Sequence, residues 1–259
     1  MDYFEKIEKA PARDLTWNIP EQKQGIVNVI GGNSQSFKTE IRVSEFLVNN
    51  YPIRELKTVL PDVLKDQLPP LPNFVFLNST ESGSFGDKDS LKNILNLADF
   101  NLILGDFSKN TITAQILASA CHYSEKPLLI TRDAVDIIAN ENPERALTNE
   151  NMILFASITQ LQKLLRAIYY PRVLLLSQSL MQVCETLHKF TLSYPIPIIT
   201  LHDGQILIAK NGLVKAIPLD KSGYSPIFFW QGELAAKIVA MNLYNPNNFI
   251  ASTISAIFA

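Results

Sequence analysis

The sequence predicts one α/β domain, a mostly parallel sheet between layers of helices with antiparallel hairpins late in the chain. Three observations predict it. Short, fully apolar runs such as Phe74-Val75-Phe76-Leu77 and Leu128-Leu129-Ile130 read as strands buried on both faces. Stretches with apolar residues at helical spacing alternate with them, as in Leu91, Ile94, Leu95 and Ala98. Near the end, Asp203-Gly204 and Asn211-Gly212 each join two apolar runs, the mark of tight hairpins.

Composition narrows the function classes. The chain has 259 residues, 47% of them hydrophobic, enough to bury a sizeable core. A net charge of −2 and the absence of a long Lys/Arg run argue against a groove for nucleic acid polymers. No uninterrupted apolar run reaches about 18 residues, so no membrane span is expected. The polar start, Met1-Asp2-Tyr3-Phe4-Glu5-Lys6, does not read as a secretory signal. Cys121 and Cys184 lack CxxC or Cys/His spacing. They read as buried thiols in a reducing compartment, the cytoplasm, and not as zinc ligands.

In chain order, residues 1–24 read as a leader with a short helix, Pro11 and Pro20, and the domain spans 25–259. Gly25 to Ile30 is a strand that ends in Gly31-Gly32-Asn33-Ser34, and a helix with Ile41, Phe46 and Leu47 follows. Five prolines, Pro52, Pro61, Pro69, Pro70 and Pro72, punctuate the next segment, where Leu56 to Leu68 carries only short apolar stretches. After the Phe74–Leu77 strand, Ser79 to Gly86 is a Ser/Gly-rich loop and Asp87 opens a helix. Leu102-Ile103-Leu104 is a strand ending in Gly105-Asp106, and Asn110 or Thr111 caps the helix after it. Leu128 to Ile130 leads to Thr131-Arg132-Asp133, and Met152 to Phe155 is a further strand. Helices are expected around Leu161–Leu165 and Leu180–Leu187, then strands at Ile196–Leu201, Ile206–Ala209 and Val214–Pro218. A helix from Leu234 to Leu243 is separated by Asn245-Pro246 from a last one, Phe249 to Ile257.

Open α/β sheets bind ligands at the carboxyl ends of their strands. Gly31-Gly32, Gly105-Asp106 and Asp133 are therefore expected along one rim. Gly31, Gly32 and Asn33 can bring backbone amides close to a phosphate, or simply turn a strand into a helix. Neither GxGxxG nor a P-loop is present. Gly105-Asp106 reads first as a turn, and Asp133 reads equally as a ligand contact or a helix cap. His202 abuts Asp203, but neighbours in a strand point to opposite faces, so the two form no dyad. The stretch Phe228-Phe229-Trp230-Gln231-Gly232-Glu233-Leu234 closes a loop and starts a helix. Unpaired amides at a helix start hold anions, Gly232 permits close approach, and Glu233 adds a carboxylate that either caps the helix or takes a proton.

In this order the landmarks resemble the ribokinase-like superfamily, three-layer α/β/α proteins, over roughly residues 23–259. Within it the chain is similar to the ADP- or ATP-dependent NAD(P)H-hydrate dehydratases. Ile26 to Gly32 looks like that family's opening strand and Gly-Gly turn. Gly105-Asp106-Phe107-Ser108-Lys109 stands where the family has Gly-Pro-Gly-Leu-Gly. Pro127 to Val135 looks like its P-x-V-x-D-A-D-A-L segment, with Asp133 as the second aspartate. Phe155-Ala156-Ser157 and Thr159-Gln160 replace Thr-Pro-His and Gly-Glu, and His202-Asp203 replaces a Lys-Gly turn. Trp230-Gln231-Gly232-Glu233 falls on Gly-Thr-Gly-Asp, the family's anion hole and catalytic aspartate.

The resemblance implies ATP or ADP, with Mg²⁺, as cofactors, a nucleotide or NAD(P)H-like small molecule as partner, and a homo-oligomer. It implies Glu233 as catalytic base and the amides of Gln231 and Gly232 as the anion hole. Gly31, Gly32, Asn33, Gly105, Asp133 and His202 complete the nucleotide and phosphate site, and no residue is assigned to a resident metal. Core positions keep their type while the polar landmarks are mostly replaced. Glu233 also moves the carboxylate by about one C–C bond, on the order of 1.5 Å, and misplacement on that scale costs about a hundredfold in rate. The expectation is a diverged member, its catalysis weakened or lost and its nucleotide binding retained. An active dehydratase and a small-molecule kinase are the alternatives.

Overall fold

The computed structural model describes residues 2–9, 18–141 and 143–259. The strands are β1 (Phe4–Lys6), β2 (Gln24–Gly31), β3 (Ile53–Pro61), β4 (Phe74–Leu77), β5 (Phe100–Gly105), β6 (Leu128–Thr131), β7 (Met152–Phe155), β8 (Ile198–His202), β9 (Gln205–Lys210) and β10 (Leu213–Pro218). They form one ten-stranded sheet in the order β1-β10-β9-β8-β7-β6-β5-β2-β3-β4. Neighbours from β8 to β4 run parallel, and β8-β9-β10 is an antiparallel meander.

The helices are α1 (Lys38–Asn50), α2 (Lys88–Leu97), α3 (Thr111–Tyr123), α4 (Asp133–Asn140), α5 (Pro143–Leu147), α6 (Ile158–Ala167), α7 (Leu180–Ser193), α8 (Pro226–Phe229), α9 (Glu233–Tyr244) and α10 (Phe249–Phe258). Helices α2 to α7 cover one face, and α1, α8, α9 and α10 cover the other. All of β5 is buried, and its side chains alternate between the two cores. Ile103 faces α2 to α7, while Leu102 and Leu104 face α1 and α9. This three-layer arrangement is the one expected from the alternating runs.

Local chemistry sets the boundaries. Asp87 caps α2 by accepting from the Ser90 amide, and Asn110 caps α3 by accepting from Thr113. Ser157 and Gln160 form a capping box at α6. Both hairpin turns have positive φ at both central residues, 48° and 65° at Asp203-Gly204 and 50° and 77° at Asn211-Gly212. That is the geometry whose twist matches paired strands. Inside the sheet, Asn28 Nδ2 donates to Asn101 Oδ1 (2.9 Å) and to the Ile94 carbonyl (2.9 Å). Asn101 Nδ2 in turn donates to the Leu95 carbonyl (3.0 Å), so two buried amides tie β2 and β5 to the end of α2.

Two expectations change. No helix lies in residues 2–9: Phe4–Lys6 is an edge strand, parallel to β10 at Val214–Ala216. Pro11 lies outside the described residues. The proline-punctuated segment contains β3, a nine-residue strand paired with β2 and β4. Cys121 and Cys184 are buried free thiols, as expected. Among the described residues no helix is long and apolar enough to cross a membrane.

Candidate ligand site at the carboxyl rim of the sheet

Because β2 and β5 to β8 run the same way, Gly31, Gly105, Thr131, Phe155 and His202 end on one rim. The glycine turns meet there. Gly32 N–H donates to the Gly105 carbonyl (2.8 Å), and Asn33 Nδ2 donates to the Asp106 carbonyl (2.5 Å). Gly105 and Asp106 both take positive φ, 117° and 55°, which turns the chain back over the strand end. Asp133, the first residue of α4, braces that turn. Its carboxylate accepts from the amides of Asp106 (2.7 Å) and Phe107 (3.1 Å). Arg132 Nη2 donates to Asp106 Oδ1 (2.8 Å). Burial pushes the Asp133 carboxyl above its ordinary range, against the two amides that stabilise its charge.

The structure thus gathers Gly31, Gly32, Asn33, Gly105 and Asp133 into one network, as the sequence reading expects of a rim. The close approach that the two glycines permit is taken up by the chain itself. A Cβ on Gly31 would lie 2.5 Å from Glu40 Oε1 and 2.5 Å from the Gly105 carbonyl oxygen, and one on Gly105 would overlap Asp133 Oδ1. Glu40, in the first turn of α1, is fully buried, and neither carboxylate oxygen has a hydrogen-bond partner. Sequence reasoning missed it. The signal was its spacing, since Glu40 shares the buried stripe of α1 with Val43, Ser44 and Leu47.

The start of α9 packs beside this network. Gly232 is its N-cap, at φ 98° and without a side-chain cap. A Cβ there would press on Val43 and Leu104, so α9 enters the rim against α1 and the end of β5. The Gln231 amide is already engaged: it donates to the Phe228 carbonyl (3.2 Å), and the Gln231 carbonyl accepts from Arg42 Nη2 (2.8 Å). Glu233 is partly buried, and its charge acts on Tyr224 and Lys237. The charges that act on Glu40 are Asp106, Arg132 and Asp133. His202 is buried at the end of β8 and bonds through Nε2 to the Gln178 carbonyl (2.8 Å), apart from both.

Trp230 does not bury itself in the glycine clefts. Its indole lies 5.3 Å from the Phe155 ring and 4.6 Å from Phe229. It forms one wall of a hollow of about 390 Å³ whose other lining includes Arg132, Ser157, Gln160 and Lys163. A second hollow of about 520 Å³ shares Asp133, Asp136 and Lys163 with it. Lys163 is ion-paired with Asp136, and Gln160 Nε2 bonds to Asp136 Oδ2 (2.6 Å).

Nucleotide phosphates fit these residues unevenly. The glycine clefts are filled by the carboxyls of Glu40 and Asp133, which leave no room there for a phosphate. The Trp230 hollow offers an aromatic face and room for a small molecule, with Arg132 and Lys163, each ion-paired, set beside Asp133 and Asp136. Asp133 is committed to backbone amides, and Asp106 gives Oδ1 to Arg132 while its Oδ2 has no partner. Among the described residues, no group of three or more His, Cys, Asp or Glu is placed to hold a metal.

Compared with protein-family profiles and with curated protein sequences, the chain matches none. Solved structures are similar over nearly all of it. A ribokinase-like superfamily protein from Enterococcus faecalis aligns with 100% of this chain and 86% of its own, at 16% identity and a TM-score of 0.66. The ADP/ATP-dependent NAD(P)H-hydrate dehydratase of Bacillus subtilis aligns with 92% of this chain and 81% of its own, at 12% identity and a TM-score of 0.56. A nucleoside kinase from Methanocaldococcus jannaschii aligns with 91% and 90%, at 11% identity and a TM-score of 0.51. The chain has the ribokinase-like fold.

Proposed function

We propose that this chain is a diverged, NAD(P)H-hydrate dehydratase-like member of the ribokinase-like superfamily that binds a nucleotide without turning it over. The observation that carries the reading is the filled glycine clefts. A site that transfers or releases phosphate needs amides and cations aimed at the charge that develops. Here the two positions of closest backbone approach face Glu40 and Asp133 instead. The carboxylate proposed as base, Glu233, acts on Tyr224 and Lys237.

Binding is assigned to the Trp230 hollow. A flat heterocycle lies on the indole, and its phosphates reach toward Lys163. Lys163 is held by Asp136, so the phosphate competes with an internal acid and affinity is modest. The similar dehydratase was co-crystallised with ATP and Mg²⁺, which supports a nucleotide as the ligand class to test first.

The test is thermal melting with ATP, ADP, AMP and NADPH, with and without Mg²⁺, for the native chain and Trp230→Ala. A ligand at a hundred times its dissociation constant adds about 2.7 kcal/mol of stability. A shift with at least one nucleotide, lost in the variant, supports the assignment. No shift with any of the four removes it.

A further inference from the structure

We infer that Glu40 is held as a neutral acid whose proton bonds into the Gly105-Asp106 turn, and that this proton latches shut the cleft between Gly31 and Gly105. The inference stands apart from any ligand. It begins with an anomaly: a fully buried carboxyl at the rim that no donor of another residue reaches, with only its own backbone amide beside it. A carboxylate only accepts hydrogen bonds, and leaving one buried and unmatched is strongly unfavourable.

The donors around it are spent. Gly32 N–H goes to the Gly105 carbonyl, and the Asp106 and Phe107 amides go to Asp133. Arg132 goes to Asp106 Oδ1 and Asn33 Nδ2 to the Asp106 carbonyl. Acceptors remain. The Gly105 carbonyl oxygen and Glu40 Oε1 flank the same point beside Gly31. Asp106 Oδ2 is buried and also lacks a partner. A carboxyl among acceptors is satisfied by carrying a proton itself.

The charges agree. Asp106 and Asp133 oppose ionisation of Glu40, while its own backbone amide and Arg132, already bonded to Asp106, favour it and are outweighed by burial. Of the other elements against α1, β2 carries no charged side chain, β3 carries Arg54 and the Glu55–Lys57 ion pair, and Glu233 of α9 acts on Tyr224 and Lys237. On α1 itself, Arg42 is directed to the Gln231 carbonyl. Burial first, and then Asp106, push the Glu40 carboxyl up from 4.5 to about 8.

The sign of the pH effect follows. The folded pKa is raised, so the stability the protonated form contributes is complete below the unfolded value of 4.5 and is lost as pH rises through about 8. An ionised Glu40 is repelled by Asp106 and Asp133 and turns to water, and the cleft between the glycine turns opens. The latch is closed at neutral pH and open in alkali.

Glu40→Gln tests this, because its amide has the same shape, stays neutral and can donate. Melting temperatures are measured from pH 4 to 10 for both proteins, with hydrogen exchange of the Gly32 and Asp106 amides at matched pH. The expected result is a native melting temperature that falls as pH rises toward and through about 8, and a variant without that component. Exchange at the two amides is expected to be equal at pH 6 and faster in the native chain above the transition. An unchanged pH slope in the variant, or equal exchange in alkali, overturns the proposal. Should the variant not fold, infrared spectra of the native chain decide. A protonated-carboxyl band present at pH 7 and gone at pH 10 supports the latch, and its absence at pH 7 overturns it.

Discussion

Gly105 and Asp133 are fitted to one another. A Cβ on Gly105 would overlap Asp133 Oδ1, and the Asp133 carboxylate accepts the next two amides of the same turn, Asp106 at 2.7 Å and Phe107 at 3.1 Å. Asp133 braces the turn that follows β5. Asp133→Ala leaves two partly buried amides unpaired and is expected to cost about 1–3 kcal/mol. Asp133→Asn keeps one acceptor and should cost less. Urea unfolding measures both, and equal losses would show that the two bonds are not what the turn depends on.

Gly105→Ala tests the same relationship from the other side. The substitution adds an overlap with Asp133 and places a side chain at φ 117°. Strain of that kind costs on the order of 1–3 kcal/mol before the overlap is counted. The pair should be coupled: in Asp133→Ala, the further loss from Gly105→Ala is expected to shrink, since the overlapping atom is gone.

Trp230→Ala should weaken nucleotide binding. Stacking of a base on an aromatic ring is worth about 1–3 kcal/mol, or about five- to 150-fold in dissociation constant. Trp230→Phe should retain most of the affinity. Calorimetric titration distinguishes them, and equal affinity in all three proteins would place the ligand elsewhere.

Asp136→Asn should tighten binding. It releases Lys163 from its ion pair and leaves the ammonium free for a phosphate. Both groups are partly exposed, so the gain is modest, about 0.2–1 kcal/mol at low salt. It should fade as salt is raised. A loss of affinity would mean that Asp136 itself holds the ligand.

The frame of the molecule was legible because most of its strands are short apolar runs with no competing period. Leu128–Thr131 and Met152–Phe155 are buried at every position, as central parallel strands are. Strand β3 escaped because Arg54, Glu55 and Lys57 interrupt it between Pro52 and Pro61. It was recovered only through its pairing with β2 and β4. Strand β1 is three residues long and exists through its partner β10. Local pattern carries neither signal, since tertiary pairing decides both.

The site was legible in part, for a similar reason. Strand-end glycines mark a rim, and Gly31, Gly32, Asn33, Gly105 and Asp133 do meet there. Their residue types do not reveal what occupies the space they leave. Glu40 in a first helical turn reads as a solvated residue suited to the helix dipole. Its position on the buried stripe of α1 says otherwise, and its place in the fold gives that meaning.

The central claim is that the glycine clefts have been given over to the chain's own carboxyls at the expense of chemistry. Regeneration of NADPH from its hydrate, followed by absorbance with ADP or ATP and Mg²⁺ present, tests this most directly. The account predicts a rate no greater than the uncatalysed one for both the native chain and Glu233→Gln. A native rate well above that background, abolished in Glu233→Gln, would contradict it.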